Sequence, residues 1–230
     1  MTVLDSAALK SYILDLNIQI NDVLAKVGSG PTFSCKVGEC FYQFSADTNM
    51  LSFLSTAAGP LVWAIGALDT NGATANNGHR YIATASNITQ STTPLNNLNL
   101  AKLGNANKMV GDANADIGVN TSLIITDPGR SAYAGSAQWG DNWGGNANFI
   151  ATGKVGTSMD LYLLSQSSGA FAQRFQSSIY EGLAYEGEPV FAQLDMDGTL
   201  YIAAVPEPET YALMLAGLGL VGWMARRRKA

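Results

Sequence analysis

The sequence contains little charge, little cysteine and almost no histidine. Charged residues make up 13% of its 230 residues, about half the usual share, and there are two Cys and one His. This composition excludes a disordered acidic chain, a coiled coil, a collagen-like rod and a polytopic membrane protein. The formal net charge of −5 argues against a general nucleic-acid binder. One histidine gives little support to a multi-histidine zinc site or a Ser-His-Asp triad.

Short β-rich segments recur along the chain and are separated by turns rich in Gly, Asn, Ser and Asp. Residues 14–21 alternate between apolar and polar, which predicts a half-buried strand with Leu14, Leu16, Ile18 and Ile20 inward. Residues 1–204 are therefore predicted to form an all-β domain, a single sandwich or jelly-roll-like structure. Further strands are predicted at 41–44, 61–68, 81–85, 123–126, 161–164 and 190–205.

A weaker helical pattern covers residues 94–110, where Leu95, Leu98, Lys102 and Met109 would share one face. In the body of the chain this segment has the clearest apolar spacing of a helix. Convincing helical periodicity is otherwise confined to the C-terminal tail.

The two cysteines, Cys35 and Cys40, are separated by four residues that include a glycine. Aromatic and β-prone residues flank them, so we predict a hairpin closed at its neck by a disulfide. A disulfide fits an oxidising destination outside the cytoplasm. A redox or metal site finds little support because no second ligand pair exists.

Residues 194–200 resemble the nucleophile motif of haloacid-dehalogenase-like phosphatases, with Asp195 and Asp197 as the two carboxylates. In those enzymes the motif opens a Rossmann-like domain and further ligands lie far downstream, whereas here a proline-rich linker follows within a few residues. An Asp-Gly pair between two apolar strands predicts a β-hairpin instead. We assign no catalytic residue and no cofactor, and we expect a non-enzymatic protein.

A weak calcium candidate lies at Asp112, Asn114 and Asp116, whose oxygen-bearing side chains are spaced two apart. The glycine and the acidic residue that an EF-hand loop needs are missing from their positions. We predict a solvated turn here and assign no metal.

Two tryptophans lie in a polar stretch, where Trp139 and Trp143 flank Asp141 and Asn142. Exposed rings would stack on sugars while Asp141 and Asn142 bind hydroxyl groups. Buried rings would instead close one end of the β core. Both interpretations stay open, with burial favoured.

The C-terminal residues form three segments with different physical roles. Residues 205–209 read Val205, Pro206, Glu207, Pro208 and Glu209, and the two prolines predict an extended, exposed linker. Residues 210–225 are predicted to form a transmembrane helix. Their apolar part, 211–224, would rise about 21 Å, which is short against a hydrocarbon core of about 30 Å. The basic residues 226–230 would compensate by snorkelling and would stay in the cytoplasm, with the body outside.

This arrangement resembles the PEP-CTERM sorting signal of Gram-negative bacteria that make extracellular polysaccharide. The resemblance implies export through the inner membrane in type I orientation, cleavage near the Pro-Glu-Pro motif by an exosortase, and delivery to the cell surface or extracellular matrix. Glycines in the apolar segment would allow close packing against a partner helix such as the processing enzyme, or are simply common in membrane spans. The residues assigned to the membrane anchor are Tyr211, Gly217, Gly219, Gly222, Trp223, Arg226, Arg227 and Arg228.

Proteins with this signal normally begin with a signal peptide, but residues 1–26 have no basic start and no apolar core. We expect either that translation starts upstream or that the sequence is a mature form with a new Met. The functional hypothesis is a non-enzymatic component of a biofilm or exopolysaccharide matrix. The alternative is a carbohydrate-binding module that uses Trp139 and Trp143.

Overall fold

A computed structural model describes residues 1–31, 33–69, 80–85, 103–119, 121–135, 152–166 and 178–204. Within these residues the structure is mostly β, with two antiparallel sheets and few helices, so the prediction of a β-rich body is confirmed. The three helices of the described residues correct the all-β assignment. The helices are α1 (Ile20–Ser29), α2 (Thr48–Ser55) and α3 (Leu103–Ile117). The strands are β1 (Thr2–Asp5), β2 (Lys10–Leu14), β3 (Phe33–Cys35), β4 (Gly38–Phe44), β5 (Leu61–Ala64), β6 (Gly66–Asp69), β7 (Arg80–Ala85), β8 (Ser122–Ile125), β9 (Gly153–Lys154), β10 (Ser158–Gln166), β11 (Ser178–Gly182), β12 (Ala184–Tyr185), β13 (Glu188–Leu194) and β14 (Leu200–Ala204).

The first sheet has the strand order β8-β2-β1-β5-β9, and the second has the order β3-β4-β14-β13-β10-β7-β6. In the second sheet β11 also pairs with β10, and β12 pairs with β13. The main hydrophobic cluster joins the two sheets, with Val3 and Trp63 from the first and Leu161, Leu194 and Ile202 from the second. Burial of side chains this large supplies most of the driving force for closing the two sheets.

The segment predicted as one strand, residues 61–68, forms two strands that belong to different sheets. β5 belongs to the first sheet and β6 to the second, and Ile65 lies between them. The Thr84 hydroxyl, which is buried, accepts a hydrogen bond from the Ile65 N–H at 3.2 Å. Trp63, Ile65 and Ala67 all contact the main cluster, so the alternation continues through the change of sheet.

The prediction of a strand at 14–21 is wrong beyond Leu14. β2 ends there, and a turn follows in which the Asn17 N–H donates to Asp15 at 2.8 Å and Asn17 has a φ of 50°. The inward direction of the apolar residues was nevertheless predicted correctly. Leu16 and Ile18 pack against the core from irregular backbone, and Ile20 packs from the first position of α1.

Helices α1 and α2 were not predicted from the sequence. Asp22 accepts the Gln19 N–H at the start of α1, and Asp47 accepts the Met50 N–H at 2.7 Å at the start of α2. Such caps satisfy backbone donors that a helix leaves without an internal partner. Buried residues of both helices, among them Val23 of α1 and Met50 of α2, complete the main cluster.

The third helix corrects two expectations. The weak helical pattern was placed at 94–110, but α3 spans Leu103–Ile117, and residues 94–102 lie outside the described part of the chain. Its Ala113 and Ile117 join a second cluster with Ile13 and Ile125 on the first sheet. The segment expected to be a solvated turn is therefore helical and packed.

Candidate functional site

The last described strand, β14, leads directly into the C-terminal segments singled out in the sequence. It lies between β4 and β13, and all of its residues are buried. Ala204, its last residue, pairs with Val190 on one side and Glu39 on the other. The predicted linker, residues 205–209, thus begins immediately after an interior strand.

The β13–β14 connection is the hairpin that the Asp197-Gly198 pair predicts. Asp195 N–H donates to the Thr199 carbonyl and Gly198 N–H donates to the Asp195 carbonyl, both at 2.9 Å. Gly198 has a φ of 83°, a conformation that favours glycine, and a Cβ there would lie 2.5 Å from Met50 Cγ. The turn is consequently held against α2, and the phosphatase-like sequence has a structural explanation.

The predicted disulfide between Cys35 and Cys40 is confirmed, with the two Cα atoms 5.8 Å apart. It closes the β3–β4 hairpin, in which Cys35 pairs with Gly38 and Phe33 with Cys40. Cys40 is fully buried beside Phe191, Tyr201 and Ala203. Through Cys40, the disulfide-closed hairpin therefore packs against β13 and β14, the two strands that precede the C-terminal segments.

Lys36, which lies between the two cysteines, adds a charged contact between this hairpin and the β13–β14 turn. Its ammonium forms an ion pair with Asp195, lies 3.4 Å from Asp197 Oδ2 and stands 5.5 Å from the centre of the Tyr201 ring. The hydrogen bond to Asp195, together with the charges of Asp195 and Asp197, raises the pKa of Lys36. The Thr199 N–H, 2.9 Å from Asp197 Oδ1, lowers the pKa of that carboxyl, and Lys36 lowers it further.

Both carboxylates of the turn are thus engaged by neighbouring groups. Asp195 also accepts a hydrogen bond from the Gln193 side chain at 2.7 Å, so its oxygens face a lysine and an amide. Sequence reasoning missed Lys36. The sequence contains both partners, a single cation between the two cysteines and an Asp-x-Asp turn. Lys36 and Asp197 are 161 positions apart, however, so nothing in the sequence pairs them.

The weak calcium candidate does not have the geometry of a loop site. Asp112, Asn114 and Asp116 lie on α3, and Asp116 Oδ1 binds the Arg130 guanidinium at 3.0 Å. Asp116 Oδ2 is buried without a hydrogen-bond partner. Among the residues that the structure describes, no three His, Cys, Asp or Glu side chains form a group that could hold a metal ion.

The remaining candidate residues lie outside the described part of the chain. They are the four possible glycan contacts (Trp139, Asp141, Asn142 and Trp143), the motif 205–209, and the anchor residues within 210–230. Their assignments stay predictions. In the described ranges, no helix has both the length and the apolar character needed to cross a membrane.

Comparison with known families gives one match, at the C-terminal end. Residues 204–229 match the PEP-CTERM protein-sorting motif, and the match begins at the last residue of β14. It indicates a secreted protein directed to the cell surface and processed by an exosortase-type enzyme. No curated protein and no solved structure was found to match the chain.

Proposed function

We propose that this protein is a non-enzymatic component of the cell surface or extracellular matrix. Residues 210–225 hold it in the inner membrane in type I orientation until an exosortase-type enzyme cuts at the Pro-Glu-Pro motif. The single observation that carries this proposal is the sorting-motif match at residues 204–229. A biofilm or exopolysaccharide matrix is the destination that the resemblance implies.

The junction between body and motif supports this order of events. Ala204 is buried in the core, and the match to the motif starts at the same residue. A cut at Pro206–Pro208 would leave every described strand in the released product. The disulfide adds support, because such bonds form and persist in the oxidising compartments outside the cytoplasm.

The composition supports a matrix role over a catalytic one. Charged residues make up 13% of the chain, and the polar loops are rich in Asn, Gly and Thr. The carboxylates that most resemble a catalytic pair, Asp195 and Asp197, are engaged in a turn and with Lys36. Neutral hydrogen-bonding loops suit contact with hydrated polysaccharide.

Deletion of residues 206–230 tests the sorting step. We expect the protein to disappear from the surface and culture fractions, because the sequence that engages the membrane and the processing enzyme is gone.

A Glu207→Ala variant should accumulate unprocessed in the inner membrane. Glu186→Ala, at an exposed turn of the body, is the matched control and should be delivered normally. Unchanged surface delivery after the deletion would refute the proposal.

A second candidate function is carbohydrate binding by Trp139 and Trp143, favoured by the two rings set among Asp and Asn in a polar stretch. Titration with the host exopolysaccharide should then change tryptophan fluorescence, since ring stacking on a sugar alters the indole environment. The response should vanish in Trp139→Ala and Trp143→Ala. Trp63 is fully buried in the core and contributes a constant background to the fluorescence. A response that persists in both variants would exclude these two rings as the binding site.

A further inference from the structure

A cavity of about 150 Å³ lies at one end of the core. Its walls come from α1, α3, the turn between β2 and α1, and one end of β1 and β2, and the second sheet forms its floor. The residues at that end are Met1, which precedes β1, and Thr2, Ile13 and Leu14. Ile82, Leu161 and Ile202 contribute to the floor, and Val23 and Val110 contribute to the helical walls.

The lining is mostly apolar, with four polar members. Most of its apolar residues belong to the two hydrophobic clusters, whereas Asp15 and Asn114 are exposed residues at the rim. Thr2 is buried, and so is the Met1 amino group, which donates to the Leu14 carbonyl at 2.8 Å. Water in a buried site needs two to four polar partners, and the isoleucines, leucines and valines of this lining supply none, so water gains little by entering the part that they line.

Protein interiors are close-packed, and voids larger than one water molecule are few. Side chains that line a void lose dispersion contacts on one side, so an unfilled cavity of this size lowers stability. Dry apolar cavities of about this volume accept small molecules such as benzene or xenon in other proteins. A ligand of that class would restore the missing contacts.

We infer that this cavity binds a small apolar molecule, about the size of benzene or a six-carbon chain. The hydrocarbon part lies against Ile82 and Leu161, and a polar group that is neutral or positively charged lies at the rim beside Asp15 and Asn114. This inference does not depend on the proposed function.

Titration of the full-length chain with 1-hexanol tests the site by methyl NMR. The δ1 methyls of Ile82 and Ile202 should shift and saturate together, because both face the cavity. Val37 packs in the cluster of the disulfide hairpin, none of whose residues lines the cavity, and its methyls serve as the internal control. Shifts that do not saturate, or that affect Val37 equally, would overturn the inference.

Filling the cavity provides the second test. Ala67 lines it, so Ala67→Leu should weaken binding roughly tenfold or more, as added methylenes do in apolar pockets. Ala184→Leu, at an exposed position away from the cavity, should bind like the native chain. Native affinity in a folded Ala67→Leu chain would overturn the inference. If that variant does not fold, Val23→Ile adds a single methylene to another wall and decides the question in the same way.

Two probes that differ in the charge of the head group test the polar rim of the cavity. At about pH 7, hexanoate should bind more weakly than 1-hexanol because the exposed Asp15 carboxylate repels its head group. The Met1 amino group does not offset this repulsion, since burial lowers its pKa to about 5 and leaves it uncharged at that pH. Asp15→Asn should reduce the difference between the two probes. Equal binding of both probes to the native chain would place the polar group elsewhere and contradict the assigned orientation.

Discussion

A chain that ends at Thr199 is expected not to fold, whereas a chain that ends at Val205 is expected to keep the two-sheet body. β14 is the interior strand that connects the β3–β4 hairpin to the rest of the second sheet. Leu200 and Ile202 are buried, and each contributes roughly 1.5–3 kcal/mol through burial alone. The free energy lost with both side chains and with two hydrogen-bond ladders is comparable to a total free energy of unfolding of roughly 5–15 kcal/mol.

Circular dichroism and urea unfolding of the two chains measure this difference. The chain ending at Val205 should unfold in one cooperative transition, and the chain ending at Thr199 should show none. A cooperative transition in the shorter chain would mean that the second sheet closes without β14. The same reasoning constrains processing, so mass spectrometry of the surface-released product should find a C-terminus beyond Ala204.

Local signals account for the features that were predicted correctly. The Asp197-Gly198 pair determines a tight turn within its own few residues, and the two cysteines can meet across one hairpin. The sorting motif is equally local, because the prolines, apolar stretch and basic cluster are contiguous. In each case the interacting residues lie close in sequence, so the pattern determines the structure without knowledge of the fold.

The failures come from segments whose structure depends on distant contacts. The alternation at 14–21 continues across a turn and into a helix, because irregular backbone can also direct every second side chain inward. α3 is rich in Asn, Asp and Gly, which are poor helix formers, yet Ala113 and Ile117 pack against the first sheet. Tertiary packing therefore overrides its weak intrinsic propensity.

The change of sheet at Ile65 and the Lys36 contacts are also long-range. The first depends on the Thr84 hydroxyl, which becomes a neighbour of Ile65 only when β7 pairs beside β6. The second joins the disulfide hairpin to the last turn of the body. A single sequence contains both partners of each contact but gives no signal that pairs them.

Replacing Asp5 is expected to cause a large loss of stability. This carboxylate is fully buried and accepts the N–H groups of Ala7 and Ala8, both at 3.0 Å, and of Ala58 at 2.7 Å. Burial alone would raise the pKa of Asp5, but these backbone hydrogen bonds outweigh it and the pKa is lowered. Asp5→Ala removes the acceptor for all three donors, and a hydrogen bond to a charged group contributes about 1.5–3 kcal/mol, so we expect a loss of about 3 kcal/mol or more.

Asp5→Asn should lose about 2 kcal/mol, because its amide oxygen can still accept from Ala7 and Ala8 while its NH₂ group faces the Ala58 donor. A lowered folded-state pKa means that the charge contributes stability above the unfolded pKa and that this contribution is lost as pH falls through the folded pKa. Urea unfolding should therefore show a clear gap between the native chain and Asp5→Asn at about pH 7 that narrows near pH 3. Asp127→Asn is the control, since Asp127 accepts one N–H in an exposed turn and should change stability by less than about 0.5 kcal/mol. A gap that stays constant over this pH range would show that the ionised form of Asp5 has no special role in holding the β1–β2 turn to the segment after α2.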